Sequence, residues 1–285
     1  MGEGASAGRL EDAWHRGFSG VLGLLPDHSG QFRLASAYLR RRPQPPGRIR
    51  TQRMRNGTRM ALDLGDRTQA LAYLTRRYDP ELVAYLLARL PASGTFVDVG
   101  AHVGLVSFAV ARARPGATVV AFEPSPANAA AWRANRAFNG AAGAELVARA
   151  AADATGVRAF SENADSAAGR LSAAGGTMVH VTTLDAELAA RDIDHVDVLK
   201  IDTEGAERAV LDGAAGLLGR GAVATIVCEL NTEHLQRGGL SADDLTAWIV
   251  DQGFRRVALP APRNRLWRGR PAPPVVDAAF ERAGP

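Results

Sequence analysis

Four carboxylates of this 285-residue chain stand where apolar runs end. Asp98 lies in Thr95-Phe-Val-Asp-Val-Gly-Ala-His-Val-Gly104. Glu123 closes Thr118-Val-Val-Ala-Phe-Glu123, Asp202 closes Val196-Asp-Val-Leu-Lys-Ile-Asp202, and Glu229 follows Cys228. A carboxylate at the end of a buried strand can accept bonds from ligand hydroxyls or take a proton from a reacting one. Asp98, Gly100 and Gly104 are spaced D-x-G-x-x-x-G, which fits a turn from a strand into a ligand-binding helix. Such a helix start presents backbone N–H groups, and Gly100 lets the backbone come close because it has no Cβ.

The dinucleotide fingerprint G-x-G-x-x-G fails, since Gly100 is followed by His102 and then Leu105. What fits is the S-adenosylmethionine turn, with His102 in place of a middle Gly. His tolerates left-handed dihedrals better than most residues, so the turn is expected to survive. Glu123 falls one βαβ unit after Asp98, where an acid binds ribose hydroxyls. The competing reading of Glu123 is a solvated strand end.

These residues need a parallel sheet to hold them. Strands are predicted at 95–99, 118–122, 144–148, 196–201 and 222–230, and helices at 104–113, 126–139, 204–218 and 241–252. That alternation gives a doubly wound α/β sheet covered on both faces. Extra strands at 157–161 and 178–183 flank a Gly/Ala-rich loop (163–176), read as a lid. A final antiparallel pair is expected at 254–259 and 266–268. Ahead of the sheet come two short helices (14–25 and 32–39), a Pro-rich linker, a hairpin turning at Asn56-Gly57, and a helical stretch from 68 to 90 divided at Asp79-Pro80. This lead-in is expected to cap the cofactor turn. The domains read as 1–50, helical and linker; 51–92, hairpin and helix cap; 93–270, the catalytic domain; and 271–285, a tail.

The sequence is 46% hydrophobic, which suffices for a large core. Its net charge of +4 rests on 33 Arg and a single Lys, Lys200, a ratio that points to a GC-rich coding sequence and is poor evidence for nucleic-acid binding. One cysteine, and no apolar run near the start long enough for export or spanning, lead to the expectation of a cytoplasmic protein that spans no membrane.

Four motifs in order, Val-Asp-Val-Gly-Ala-His-Val-Gly, Ala-Phe-Glu-Pro-Ser-Pro-x-Asn, Thr-Thr-Leu-Asp and Leu-Lys-Ile-Asp-Thr-Glu-Gly-Ala-Glu, resemble those of the FkbM-type S-adenosylmethionine (SAM)-dependent methyltransferases, over about residues 60 to 255. The resemblance implies a class I, seven-stranded, mostly parallel Rossmann-like sheet and methylation of hydroxyls on natural products or sugars. His102 departs from the family, which usually has Asn there. By position, Asp98, Gly100, Ala101, His102 and Gly104 would hold the methionine end of the cofactor. Glu123, with Pro124, would hold the ribose, and Asp153 would lie in the segment beside the adenine.

Asp202 would lie next to the transferring methyl group and is the first candidate for base or orienting group. His234, after the fifth strand, is the second; its alternative is an exposed loop histidine. Lys200 shares a strand face with Asp202 and reads more readily as a partner for carboxylates than as a catalyst. Glu204 and Glu207 are read as favouring the helix N-terminus. Asp202, Glu229 and Asn231 offer oxygens of the kind Mg²⁺ prefers, but a required metal is not expected.

Adenine-N6 methylation is disfavoured because Asp202-Thr-Glu-Gly stands where an Asp/Asn-Pro-Pro-aromatic turn is wanted. Cytosine-C5 methylation needs a Pro-Cys nucleophile, and Cys228 reads as a core residue. An NAD(P)-dependent oxidoreductase lacks its third Gly here, and a non-catalytic binding module would be expected to have lost the turn or the strand-end acids. The partner expected is a small hydroxylated acceptor, and a homo-oligomer is compatible with the sequence.

Overall fold

The computed structural model describes residues 3–25, 30–162, 169–172, 176–260 and 275–283. The chain forms two compact units, which divide at Pro80/Glu81.

The first unit carries α1 (Glu3–Leu24), α2 (Gln31–Arg41), β1 (Ile49–Arg53), β2 (Arg59–Asp63) and α3 (Arg67–Thr75). β1 and β2 pair antiparallel from Ile49↔Asp63 to Arg53↔Arg59, with Gly57 at φ +86° in the turn, as Asn56-Gly57 foretells. The helical stretch from 68 does divide: α3 starts on an Asp66 cap, and α4 (Pro80–Arg89) begins anew.

The second unit continues with β3 (Thr95–Val99), α5 (Leu105–Ala113), β4 (Thr118–Phe122), α6 (Pro126–Asn139), β5 (Ala144–Val147) and β6 (Ala150–Ala151). Next come β7 (Gly156–Ser161), β8 (Arg170–Ser172), β9 (Thr177–Thr182), α7 (Leu184–Ala189), β10 (Val196–Ile201), α8 (Glu207–Asp212) and α9 (Ala215–Gly219). It ends with β11 (Val223–Asn231), α10 (Thr232–Arg237), α11 (Ala242–Asp251), β12 (Phe254–Val257) and β13 (Val275–Arg282).

Seven strands form the main sheet in the order β12-β13-β11-β10-β3-β4-β5, all parallel except β13. From β3 the chain winds outward through β4 to β5, then returns to place β10 on the other side of β3. The crevice at that reversal is where doubly wound sheets bind ligands. One core of Val, Leu, Ile and Phe, including Val97, Phe122, Leu199, Ile201, Ile226 and Phe280, packs through this sheet. β6, β9, β7 and β8 make a second, four-stranded sheet.

Four expectations change. The helix read as 204–218 is two short helices starting at Glu207. Gly213 separates them, and a Cβ there would lie 2.0 Å from the Ala152 carbonyl oxygen. Helix α7, capped by Thr183, is an element the periodicity did not show. β8 lies within the stretch read as loop, most of which falls outside the described residues. The stretch read as a tail supplies β13, which pairs with β11 from Thr225↔Glu281 to Asn231↔Val275 and with β12 from Phe254↔Arg282 to Val257↔Ala279. β13 is therefore the partner of residues 254–257; the partner expected at 266–268 lies outside the described residues.

Candidate active site

The turn after β3 is built on three left-handed residues: Gly100 (φ +77°), His102 (+51°) and Gly104 (+89°). His102 takes up the conformation its type allows. The Gly100 and Ala101 N–H groups both donate to the Phe122 carbonyl at 3.0 Å, which ties the turn to the end of β4. A Cβ on Gly100 would sit 1.7 Å from the carbonyl oxygen of Asp202. The close approach that requires glycine is thus to the end of β10, in place of the expected ligand.

Glu123 is buried and holds the turn from the other side. Its Oε2 accepts the His102 N–H at 2.8 Å, and its Oε1 accepts the Ser125 N–H at 2.9 Å and Asn128 Nδ2 at 3.4 Å. Burial drives its pKa up to about 7 despite these donors. A carboxylate oxygen has two lone pairs, so Oε2 retains room for a further donor. Pro124 beside it is half-buried, and Ser125 caps α6. Asp153 is exposed and paired with Arg158 at 2.6 Å, which holds its carboxyl below the usual range.

Asp98 is fully buried. Its Oδ2 accepts Ser107 Oγ at 2.6 Å, and Ser107 Oγ in turn accepts Trp132 Nε1 at 3.3 Å. Its Oδ1 lies 3.3 Å from Lys200 Nζ, which also reaches Asp202 Oδ2 at 3.3 Å. A chain of polar contacts therefore crosses the crevice from α6 to the end of β10. Lys200 is buried, whereas the Asp202 side chain is 28% exposed. Of these three, Asp202 is the one that a ligand in the crevice can reach.

Beyond Asp202 the backbone turns through two left-handed residues, Glu204 (φ +57°) and Gly205 (+109°). Glu207 fixes this loop. Its carboxylate is buried, and Oε1 accepts the Thr203 N–H and Oγ1, both at 3.1 Å, and the Gly205 N–H at 3.0 Å. Burial raises its pKa. Glu204 does not sit on the helix start as read from the sequence. It faces Asn231 Nδ2 at 3.4 Å and His234 Nδ1.

Carboxylate oxygens of Asp202, Glu204 and Glu229 lie within 4.8 Å of one another. The grouping differs from the oxygen set considered above: Glu204 joins it, while Asn231 spends its Oδ1 capping α10 through the His234 N–H at 3.3 Å. Burial, then the charge of Asp202, pushes Glu229 up to about 10. Cys228 is fully buried with its thiol pushed well above the ordinary value, so it is inert core. Ser107, which bonds Asp98, was not singled out in the sequence; Asn128 stood there only as part of a motif, and Glu204 and Glu207 only as helix-start acids. The signal that could have set Glu204 apart is the Glu-Gly pair directly after a strand, which marks a turn.

The sheet order, the turn after β3 and the acid at the end of β4 define a SAM-dependent methyltransferase of the Rossmann-like class. Residues 98–256 match the methyltransferase FkbM domain, and the chain belongs to that family. No curated protein sequence matches it significantly. Among solved structures, it is similar to a precorrin-6y C5,15-methyltransferase from Geobacter metallireducens (14% identity, TM-score 0.43), over 73% of this chain and 90% of that one. It is also similar to an rRNA methylase from Streptococcus thermophilus (11%, 0.45; 71% and 95%) and to M. jannaschii TYW2 in complex with AdoMet (13%, 0.43; 84% and 89%). No helix among the described residues is long and apolar enough to cross a membrane.

The residues fit the cofactor. Glu123 keeps an acceptor site on Oε2, no side chain caps the start of α5, and acids line the ends of β10 and β11.

Proposed function

We propose that this methyltransferase acts on a hydroxyl of a small molecule, a natural product or a sugar. S-adenosylmethionine, when bound, supplies a methyl group already activated by its sulfonium. Glu123 and Pro124 would hold the ribose, the turn from Asp98 to Gly104 the methionine end, and Asp153 the adenine side. The chain's own task is then to hold the acceptor oxygen in line and dispose of its proton. Alignment alone can contribute roughly 7–11 kcal/mol.

The observation that carries this reading is the bridge from Asp98 through Lys200 to Asp202. It sets a partly exposed carboxylate beside the cofactor turn. Asp202 Oδ2 is engaged by Lys200, and Oδ1 remains to accept an acceptor hydroxyl and aim its oxygen. The Glu204 carboxylate beside it suits a neutral or cationic acceptor better than a phosphodiester backbone, which argues against nucleic acid. No metal is assigned a role.

The test is incubation with methyl-labelled SAM and a panel of hydroxylated small molecules, with the product located by mass spectrometry. Label on an oxygen supports the reading. Label on nitrogen or carbon, or transfer to RNA alone, overturns it.

A further inference from the structure

The first unit differs from the second in its charge. Residues 1–80 hold fourteen Arg against seven Asp and Glu, a net charge of +7, so with a total of +4 the rest of the chain is −3. Among the described side chains of residues 12–80 no Asp or Glu is exposed, whereas Arg16, Arg33, Arg40, Arg41, Arg42 and Arg53 are. The acids are drawn inward: Asp12 pairs with Arg48 and Arg50, both at 2.7 Å, and Asp66 caps α3.

Helix α1 has two faces. His15, Ser19 and Leu22 are buried, and Ser19 Oγ donates to the Tyr73 carbonyl. On the other side Trp14, Val21 and Leu24 are 54%, 58% and 87% exposed. At about 100° per residue these three fall within about 80° of one another, so they form one stripe. Gly17 lies in the same stripe, and a Cβ there would meet nothing within 4 Å. Helix α2 returns antiparallel beside α1: Tyr38 stacks on Phe18, and Gln31 Nε2 donates to the Leu22 and Leu25 carbonyls. Phe32 and Leu34, at the start of α2, are exposed at the Leu24 end of the pair. Arginines bracket the stripe. The Arg42 guanidinium lies 5.2 Å from the Trp14 ring centre at one end, and Arg55 donates to the Gly23 and Leu25 carbonyls at 2.8 and 3.3 Å at the other.

We propose that this face docks on an anionic lipid bilayer, with Trp14, Val21 and Leu24 entering the headgroup boundary and the surrounding arginines meeting lipid phosphates. The contact is peripheral, since no helix among the described residues is long and apolar enough to cross a membrane. Apolar side chains beside basic ones are what a helix lying along a lipid–water boundary presents to it. A second copy fits less well. Face to face it would set arginine against arginine, with no exposed acid among these side chains to answer it. Nucleic acid would satisfy the arginines and leave the aliphatic stripe in water. A protein partner would have to combine acids with a matching groove. The stripe is an open ridge, and a fluid boundary closes on a ridge without a preformed groove. The inference stands independently of the acceptor that is methylated.

The test is co-sedimentation of the full chain with vesicles of phosphatidylcholine alone and of phosphatidylcholine mixed with phosphatidylglycerol. Binding should be roughly tenfold or more tighter to the mixed vesicles and should weaken as salt is raised. The double variant Val21→Ser, Leu24→Ser keeps every charge and should bind the mixed vesicles roughly tenfold more weakly. Thermal unfolding and S-adenosylhomocysteine calorimetry like those of the wild type certify that it is folded. A second double variant, Arg41→Gln, Arg42→Gln, keeps the stripe and should lose most of the preference for the mixed vesicles. Equal sedimentation of the wild type with both kinds of vesicle, or unchanged binding by the serine variant, overturns the proposal. So does a dimer, seen by analytical ultracentrifugation, that the serine variant abolishes, because the stripe would then be covered by a second copy.

Discussion

Lys200 and Asp98 are direct neighbours in register on the parallel strands β10 and β3, and their side chains meet at 3.3 Å. The contact joins the strand that carries the cofactor turn to the strand that carries Asp202. It also accounts for a lysine in a chain otherwise supplied only with arginine. An ammonium fits between two carboxylates as a compact point charge, whereas a planar guanidinium needs more room than a buried site provides.

Lys200→Met should leave Asp98 buried without its cation, at a cost of about 3–5 kcal/mol. Lys200→Arg should fail to restore the wild-type value. Urea unfolding followed by circular dichroism measures both. A Lys200→Arg protein as stable as the wild type would show that charge alone matters at this position.

Glu123 gives the protein a pH dependence of known sign. Its ordinary pKa is 4.5 and its folded value is about 7. The folded state therefore holds the extra proton between those limits. Its stabilising contribution in the ligand-free protein is complete below about 4.5 and lost as pH rises to about 7. A ribose hydroxyl donating to Glu123 favours the charged form, so S-adenosylhomocysteine affinity should rise as pH increases through 7. Glu123→Gln should flatten both dependences. Calorimetry in two buffers of different ionisation enthalpy should detect proton release from the wild type at pH 6.5, and its absence would refute the assignment.

Asp202→Asn keeps the shape and removes the charge. If Asp202 aims the acceptor, kcat should fall about 10²-fold, as for a misplacement of about 1 Å, with cofactor affinity nearly unchanged. Single-turnover transfer by the variant, beside a direct affinity measurement, separates chemistry from binding. Normal transfer would leave Asp202 as no more than a partner for Lys200.

Gly100→Ala should be severe. The left-handed dihedral alone costs about 1–3 kcal/mol for a residue with a side chain, and the added methyl runs into the Asp202 carbonyl. Wild-type stability in the variant, read by thermal unfolding, would mean that β3 and β10 can separate at this point without penalty.

Chelation should have little effect. Glu229, with a pKa of about 10, carries a proton at neutral pH, and a cation would have to displace it. Turnover and Tm with and without EDTA at pH 7 test this. Loss of turnover restored by Mg²⁺ would reverse the conclusion.

The strands that form the crevice were legible because each is a buried apolar run closed by an acid, and both faces of a parallel sheet are covered. The His102 turn and the Asn56-Gly57 hairpin were legible from local backbone preference. β13 was not, because its worth lies in pairing with β11, far away in sequence. The break at Gly213 was hidden for a similar reason, since the Ala152 carbonyl that imposes it lies in another sheet. Glu204 looked like a helix-start acid until Gly205, beside it, proved to be part of a left-handed turn.

Because β13 lies between β11 and β12, the sheet cannot close in the order in which it is synthesised. β3, β4, β5 and β10, with the cofactor turn and the Lys200 bridge, can assemble on a nascent chain while β11 still presents an unpaired edge. Only when residues 275–282 emerge does β11, with Glu229 on it and His234 just beyond, gain its second neighbour. A ribosome-bound chain would thus own the turn after β3 before the far side of its sheet was paired, and loss of residues 275–282 would turn a paired inner strand into an adhesive border.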